Sequence, residues 1–125
     1  MSKSNLQGKS ILVKQILKPQ YIKTLYQSFR LLPPFDSYNL PPASKIKFKI
    51  IESKEAYGYF DCEPLVIEIS TLCTSFELVM ETLLHEMVHL HLYLDGKTHY
   101  ERHDKTFKKI AAKVCKIYGF DIKRF

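Results

Sequence analysis

One apolar run decides most of what this chain can become. Residues 83–94 read Leu-Leu-His-Glu-Met-Val-His-Leu-His-Leu-Tyr-Leu, with aliphatic side chains on nearly every side of a helix. Such a helix is buried on most faces, so the rest of the fold must be built around it. Its ends are marked. Thr74-Ser75-Phe76-Glu77 fits a capping box, and Gly96 suits the residue just past a helix terminus. The pattern predicts a helix from about Ser75 to Asp95, roughly 30 Å long.

The same helix carries ionisable groups. All five histidines lie between His85 and His103, and His85-Glu86-Met87-Val88-His89 is an H-E-x-x-H run. Positions four apart share one helix face, a single turn apart. Two imidazoles so placed can touch one small cation, and the glutamate between them can handle a water bound to it. Burying these groups is costly unless they are paired or metal-bound. A chain of this composition meets the pattern by chance about once in a hundred shufflings. An accidental pair of core histidines is therefore the weaker reading. The arrangement is the one a zinc peptidase needs.

A catalytic zinc takes three protein ligands and keeps one position open. The metzincin continuation, H-E-x-x-H-x-x-G-x-x-H, is not met: Leu92 stands for the glycine and Asp95 for the histidine. The candidates for a third ligand are His91, His99, Glu101 and His103. His91 points to another side of the helix from His89. His99 lies in a polar loop. His103 stands at the entrance to a last helix, where packing holds the chain.

Elsewhere the patterns are shorter. Residues 10–31 predict a helix restarted at Pro19, with Ile11, Leu12, Leu17, Ile22, Leu25, Tyr26 and Phe29 spaced by threes and fours. Leu31–Pro42 is a proline-rich loop anchored by Phe35, Tyr38 and Leu40. Three strands are expected at Ile46–Ile50, Ala56–Phe60 and Leu65–Ile69, joined as an antiparallel meander with turns near Ser53-Lys54 and Cys62-Glu63. Asp104 reads as the N-cap of the last helix, with Phe107, Ile110, Ala111, Val114 and Ile117 inward and Gly119 as its stop. The expected class is α+β: N-terminal helices, a small, mainly antiparallel three-stranded sheet, the long H-E-x-x-H helix and a C-terminal helix. Residues 1–125 form a single domain in this reading, with Met1–Lys9 a candidate for disorder.

A net charge of +6, from 19 basic and 13 acidic residues, makes DNA or another polyanion a candidate partner. A basic surface without such a role fits the same number. Lys105, Lys108, Lys109, Lys113 and Lys116 line the last helix, as a solvated face or a phosphate grip. Tyr57, Tyr59 and Phe60 pack within a strand or stack on bases. The three cysteines form no C-x-x-C pair, and no export-type segment is seen, so free thiols in a reducing cytoplasm are expected. No stretch suits a membrane span.

Met80–Phe107 resembles the SprT-like zinc metallopeptidases, which include the Spartan proteases of DNA–protein crosslink repair. That family carries H-E-M-I/V-H on a long helix and then, after a short loop, H-G-x-x-F. Here the matching runs are His85-Glu86-Met87-Val88-His89 and His103-Asp104-Lys105-Thr106-Phe107. Tyr57-Gly58-Tyr59 and Ile67-Glu68-Ile69-Ser70 are similar to the family's strand pair, so the likeness covers roughly residues 46–118. It implies a zincin-like fold, Zn2+ held by His85, His89 and His103, Glu86 as the proton-handling catalyst, and a protein or peptide substrate, with DNA-associated proteins among the targets. Asp104 departs from the family glycine, though both residues cap helices. Leu90 stands where a small residue is common. His99, Tyr100 and Arg102 lie in the loop where an oxyanion or substrate contact is needed. The alternative is a basic nucleic-acid-binding or partner-binding module with a non-catalytic zinc site. Intact Glu86 favours the enzyme, because a structural site has no use for a general base.

Overall fold

The computed structural model describes residues 13–125. Met1–Lys9 and the expected helix start at Ser10 lie outside the described residues. Residues 13–16 are helical and the chain breaks at 17–18. Helix α1 then runs Pro19–Phe29, with proline in the first turn, where a missing N–H breaks no intrahelical bond. Ile22, Tyr26 and Phe29 form its buried stripe. The proline-rich connection is pinned at both ends. Phe35 and Leu40 are buried, and the Tyr26 hydroxyl donates to the Pro41 carbonyl at 2.6 Å. Tyr38 stacks on His91 with 3.9 Å between ring centroids, which makes that histidine a packing residue.

The sheet comprises β1 (Lys47–Ile51), β2 (Gly58–Cys62) and β3 (Leu65–Ser70), in the order β1-β3-β2. β2 and β3 pair antiparallel, with Phe60 opposite Ile67. β1 runs parallel to β3, with Phe48 also beside Ile67. The sheet is thus mixed, and the expected antiparallel meander is wrong for β1. The residue pattern explains the order. β3 buries Val66, Ile67, Ile69 and Ser70, and a strand covered on both faces belongs in the middle. β2 alternates half-buried and exposed residues and takes an edge. Buried Ser70 secures the connections around the sheet: it donates to the Ser53 carbonyl at 2.7 Å and accepts from the Ser53 and Leu72 N–H groups.

Helix α2 spans Phe76–Leu94 and packs against α1, β2, β3 and the last helix. Its cap is Ser75, whose hydroxyl accepts from the Leu78 N–H at 3.1 Å. The capping-box pattern pointed to Thr74, one residue earlier. Glu77 still meets the positive end of the helix. Gly96, at φ 77°, takes the left-handed conformation that closes the C-terminus. Val79, Leu83, Leu84, Met87, Val88 and Leu90 are fully buried. Helix α3, Lys105–Tyr118, starts where the Asp104 carboxylate accepts from the Phe107 N–H at 3.1 Å and ends at left-handed Gly119. It buries Phe107, Ile110, Ala111, Val114 and Cys115, whereas Ile117, expected inward, is half exposed. Cys62, Cys73 and Cys115 are free thiols. Among the described residues no helix is long and apolar enough to cross a membrane.

The Asp104 cap gives a graded expectation. Asp104→Ala lowers stability by about 1 kcal/mol, and Asp104→Gly by only a few tenths, read from urea unfolding midpoints. Equal losses would show that the carboxylate does not cap.

Candidate metal centre

Helix periodicity stacks His85 and His89 on one face of α2, and the start of α3 brings His103 to them. Their Nε2 atoms form a nearly equilateral triangle: 3.1 Å for His85–His103, and 3.2 Å for each pair that includes His89. Zinc with tetrahedral bonds of 2.0–2.1 Å sets its nitrogens about 3.3–3.4 Å apart. The observed triangle fits that spacing within a small relaxation, so these three side chains can hold a metal ion.

Protonation supports the fit. The His89 Nδ1–H donates to the Tyr100 carbonyl at 2.7 Å. A carbonyl can only accept, so the proton sits on Nδ1 and Nε2 is left as a bare lone pair. This is the usual outer-shell device for orienting a metal-binding imidazole. Burial, then the nearby His89 and His103, push His85 down to about 3, against an opposing contact from the Phe125 backbone. His89 is lowered as well, mainly by burial. Neutral imidazole is the ligating form. Lone pairs converging at this range repel one another unless a cation lies among them.

Phe107 sets the ring orientations. Its buried ring lies 4.7 Å from His89, 5.0 Å from His85 and 4.6 Å from His103, centroid to centroid. The fourth residue after His103 is therefore the apolar platform on which all three imidazoles rest. Glu86 is 6 % exposed and lines the same cleft, an opening of about 930 Å³. Burial pushes its carboxyl up to about 8. Gly58 of β2 faces it across the cleft. A Cβ there would stand 2.6 Å from Thr82 Cγ2, 2.8 Å from the Glu68 carbonyl oxygen and 3.3 Å from Glu86 Oε2. Only glycine lets the edge strand come this close to the helix.

With this geometry in place, the comparison with known families is decisive. The SprT-like family matches residues 34–125. The chain belongs to the SprT-like family. Comparison with curated proteins gives no match.

Within this SprT-like chain, the other candidate residues fall elsewhere. His99 is exposed and borders a separate small depression with Leu92, Lys97 and Asp104. Arg102 is exposed and does not line the cleft. The Tyr100 side chain turns away to Cys62, with its hydroxyl 3.2 Å from Sγ, while its backbone carbonyl orients His89. Glu101 lines the cleft, but among the described residues only the three histidines bring their ligand atoms together around one point. Sequence reasoning placed Phe107 inward and within the matching second motif, and Gly58 within the matching strand pair, but gave neither residue, nor the carbonyl of Tyr100, a role at the metal centre. The glycine between two strand tyrosines was a legible signal, because glycine inside a strand often marks a close approach.

His103→Ala is expected to lose bound zinc, whereas His99→Ala keeps it, scored by elemental analysis of purified protein; zinc retained in both removes His103 from the site. Gly58→Ala destabilises by about 1–3 kcal/mol through overpacking, and adding Thr82→Ala recovers part of the loss. An unchanged thermal midpoint for Gly58→Ala would mean that β2 does not pack this closely.

Proposed function

We propose that this SprT-like chain is a zinc-dependent metalloendopeptidase with a zincin-like fold, which hydrolyses peptide bonds using water. One observation supports this most. Three imidazole Nε2 atoms within 3.1–3.2 Å of one another and a buried carboxyl, on a helix and the start of another, open into one cleft along a sheet edge. His85, His89 and His103 would hold the zinc ion, which would supply Lewis acidity to activate water.

The remaining work falls to side chains and backbone of the chain. Glu86 takes a proton from the attacking water and passes it to the leaving amine. Burial raises its pKa, and a cation held by the three histidines would favour the ionised form that this role requires. Tyr100 holds His89 in the ligating tautomer through its carbonyl. β2 pairs with β3 on one side only, so its free edge can pair with an extended substrate backbone. β3 is central and offers no edge. The charge of +6 and the exposed lysines of α3 support DNA-associated proteins as targets.

Glu86→Gln is expected to keep zinc and lose cleavage by about 10²-fold or more, measured on an unfolded protein substrate with and without single-stranded DNA. Cleavage undiminished in that variant would reject the mechanism.

A further inference from the structure

The cleft holds a second acid. Glu81 lies one turn before His85, on the same face of α2, and lines the same opening. It is 6 % exposed. Its Oε1 accepts from Arg124 Nη2 at 2.8 Å, whereas its buried Oε2 has no partner among the described residues. Arg124 itself is 66 % exposed at the side chain. A buried carboxylate facing a cavity is thus half satisfied, and by a cation that reaches in from the surface.

The backbone of the segment that supplies this cation hydrogen-bonds to itself. The N–H groups of Lys123, Arg124 and Phe125 all donate to Asp121. Phe125 also enters the cleft, with its ring centroid 5.1 Å from that of His85. Two consecutive side chains therefore lie in the opening, one on the acid and the next beside the metal-site histidines. Guanidinium and ammonium groups are the natural partners of such a carboxylate, whose second oxygen, Oε2, is buried without a partner among the described residues.

We propose that Glu81 forms a subsite selecting a lysine or arginine side chain of the substrate, and that Arg124 occupies this subsite in the free protein. The proposal deepens the peptidase reading and rests on it. A merely structural strap between Arg124 and Glu81 makes no difference between charged and neutral peptides.

The test uses two fluorescent peptides, identical except for one arginine or its neutral isostere citrulline. Their affinities are measured by anisotropy on the zinc-loaded full chain carrying Glu86→Gln, which blocks turnover. With Arg124→Ala added, the arginine peptide is expected to bind about ten-fold tighter than the citrulline peptide, and more selectively than when Arg124 is present. Adding Glu81→Gln erases the difference. Equal affinities in the Arg124→Ala protein, or a preference that survives Glu81→Gln, overturn the proposal. The Arg124→Ala arm decides alone if Glu81→Gln does not fold. Cleavage by the chain with Glu86 intact separates the two readings: charge-selective binding without cleavage leaves the subsite and removes the peptidase, and cleavage indifferent to charge does the reverse.

Discussion

The structure depends on keeping ionisable groups inside an otherwise apolar helix. α2 is walled in on nearly every side, yet at His85, Glu86 and His89 it carries groups that hydrocarbon surroundings do not tolerate as isolated charges. Two features resolve this. The imidazoles are neutral, one through desolvation and its neighbouring imidazoles and the other with its proton directed to the Tyr100 carbonyl. Their remaining lone pairs converge on a point that suits a cation. The aliphatic residues of the same helix offset what desolvation still costs: Leu83, Leu84, Met87, Val88 and Leu90 are fully buried, each contributing about 1.5–3 kcal/mol.

The third histidine has no such protection. His103 is exposed and lies outside any regular element, so its position must come from its neighbours. The Asp104 cap fixes the next residue to the first turn of α3, and Phe107 anchors that turn in the core while touching all three imidazoles. A helix start is a suitable mount for a ligand arriving from a loop, because its backbone is already constrained on one side.

Local physics made much of this legible in the sequence. The ends of α2 and α3, the proline break before α1 and the i, i+4 histidine pair all follow from interactions a few residues long. The misplaced cap, Thr74 for Ser75, is an error of the same local kind. Strand order was not legible, because alternation in Ile46–Ile50 tells which face is buried and not which strand lies alongside. The parallel β1–β3 pairing follows from competition for the central position, which the most apolar strand wins. Tyr100 was singled out for its side chain, but its carbonyl makes the contact that matters, and a carbonyl leaves no trace in a sequence. The family resemblance pointed to His103 where spacing alone left four candidates.

The two walls of the cleft differ in kind. On one side, Gly58 seats β2 against the Glu68 carbonyl oxygen and Thr82, so any movement there disturbs backbone packing. On the other, the opening is bordered by Arg124 and Phe125, side chains of a short segment bonded mostly to its own Asp121. A peptide adding to the free edge of β2 meets a template that cannot retreat, with Glu86 behind it. Space for its side chains must then come from the opposite wall, where the Arg124–Glu81 ion pair and the contacts of Phe125 with His85 and Phe107 are the interactions to be exchanged. The proposed peptidase gains from that division: the backbone-facing wall is rigid, and the side-chain-facing wall is replaceable.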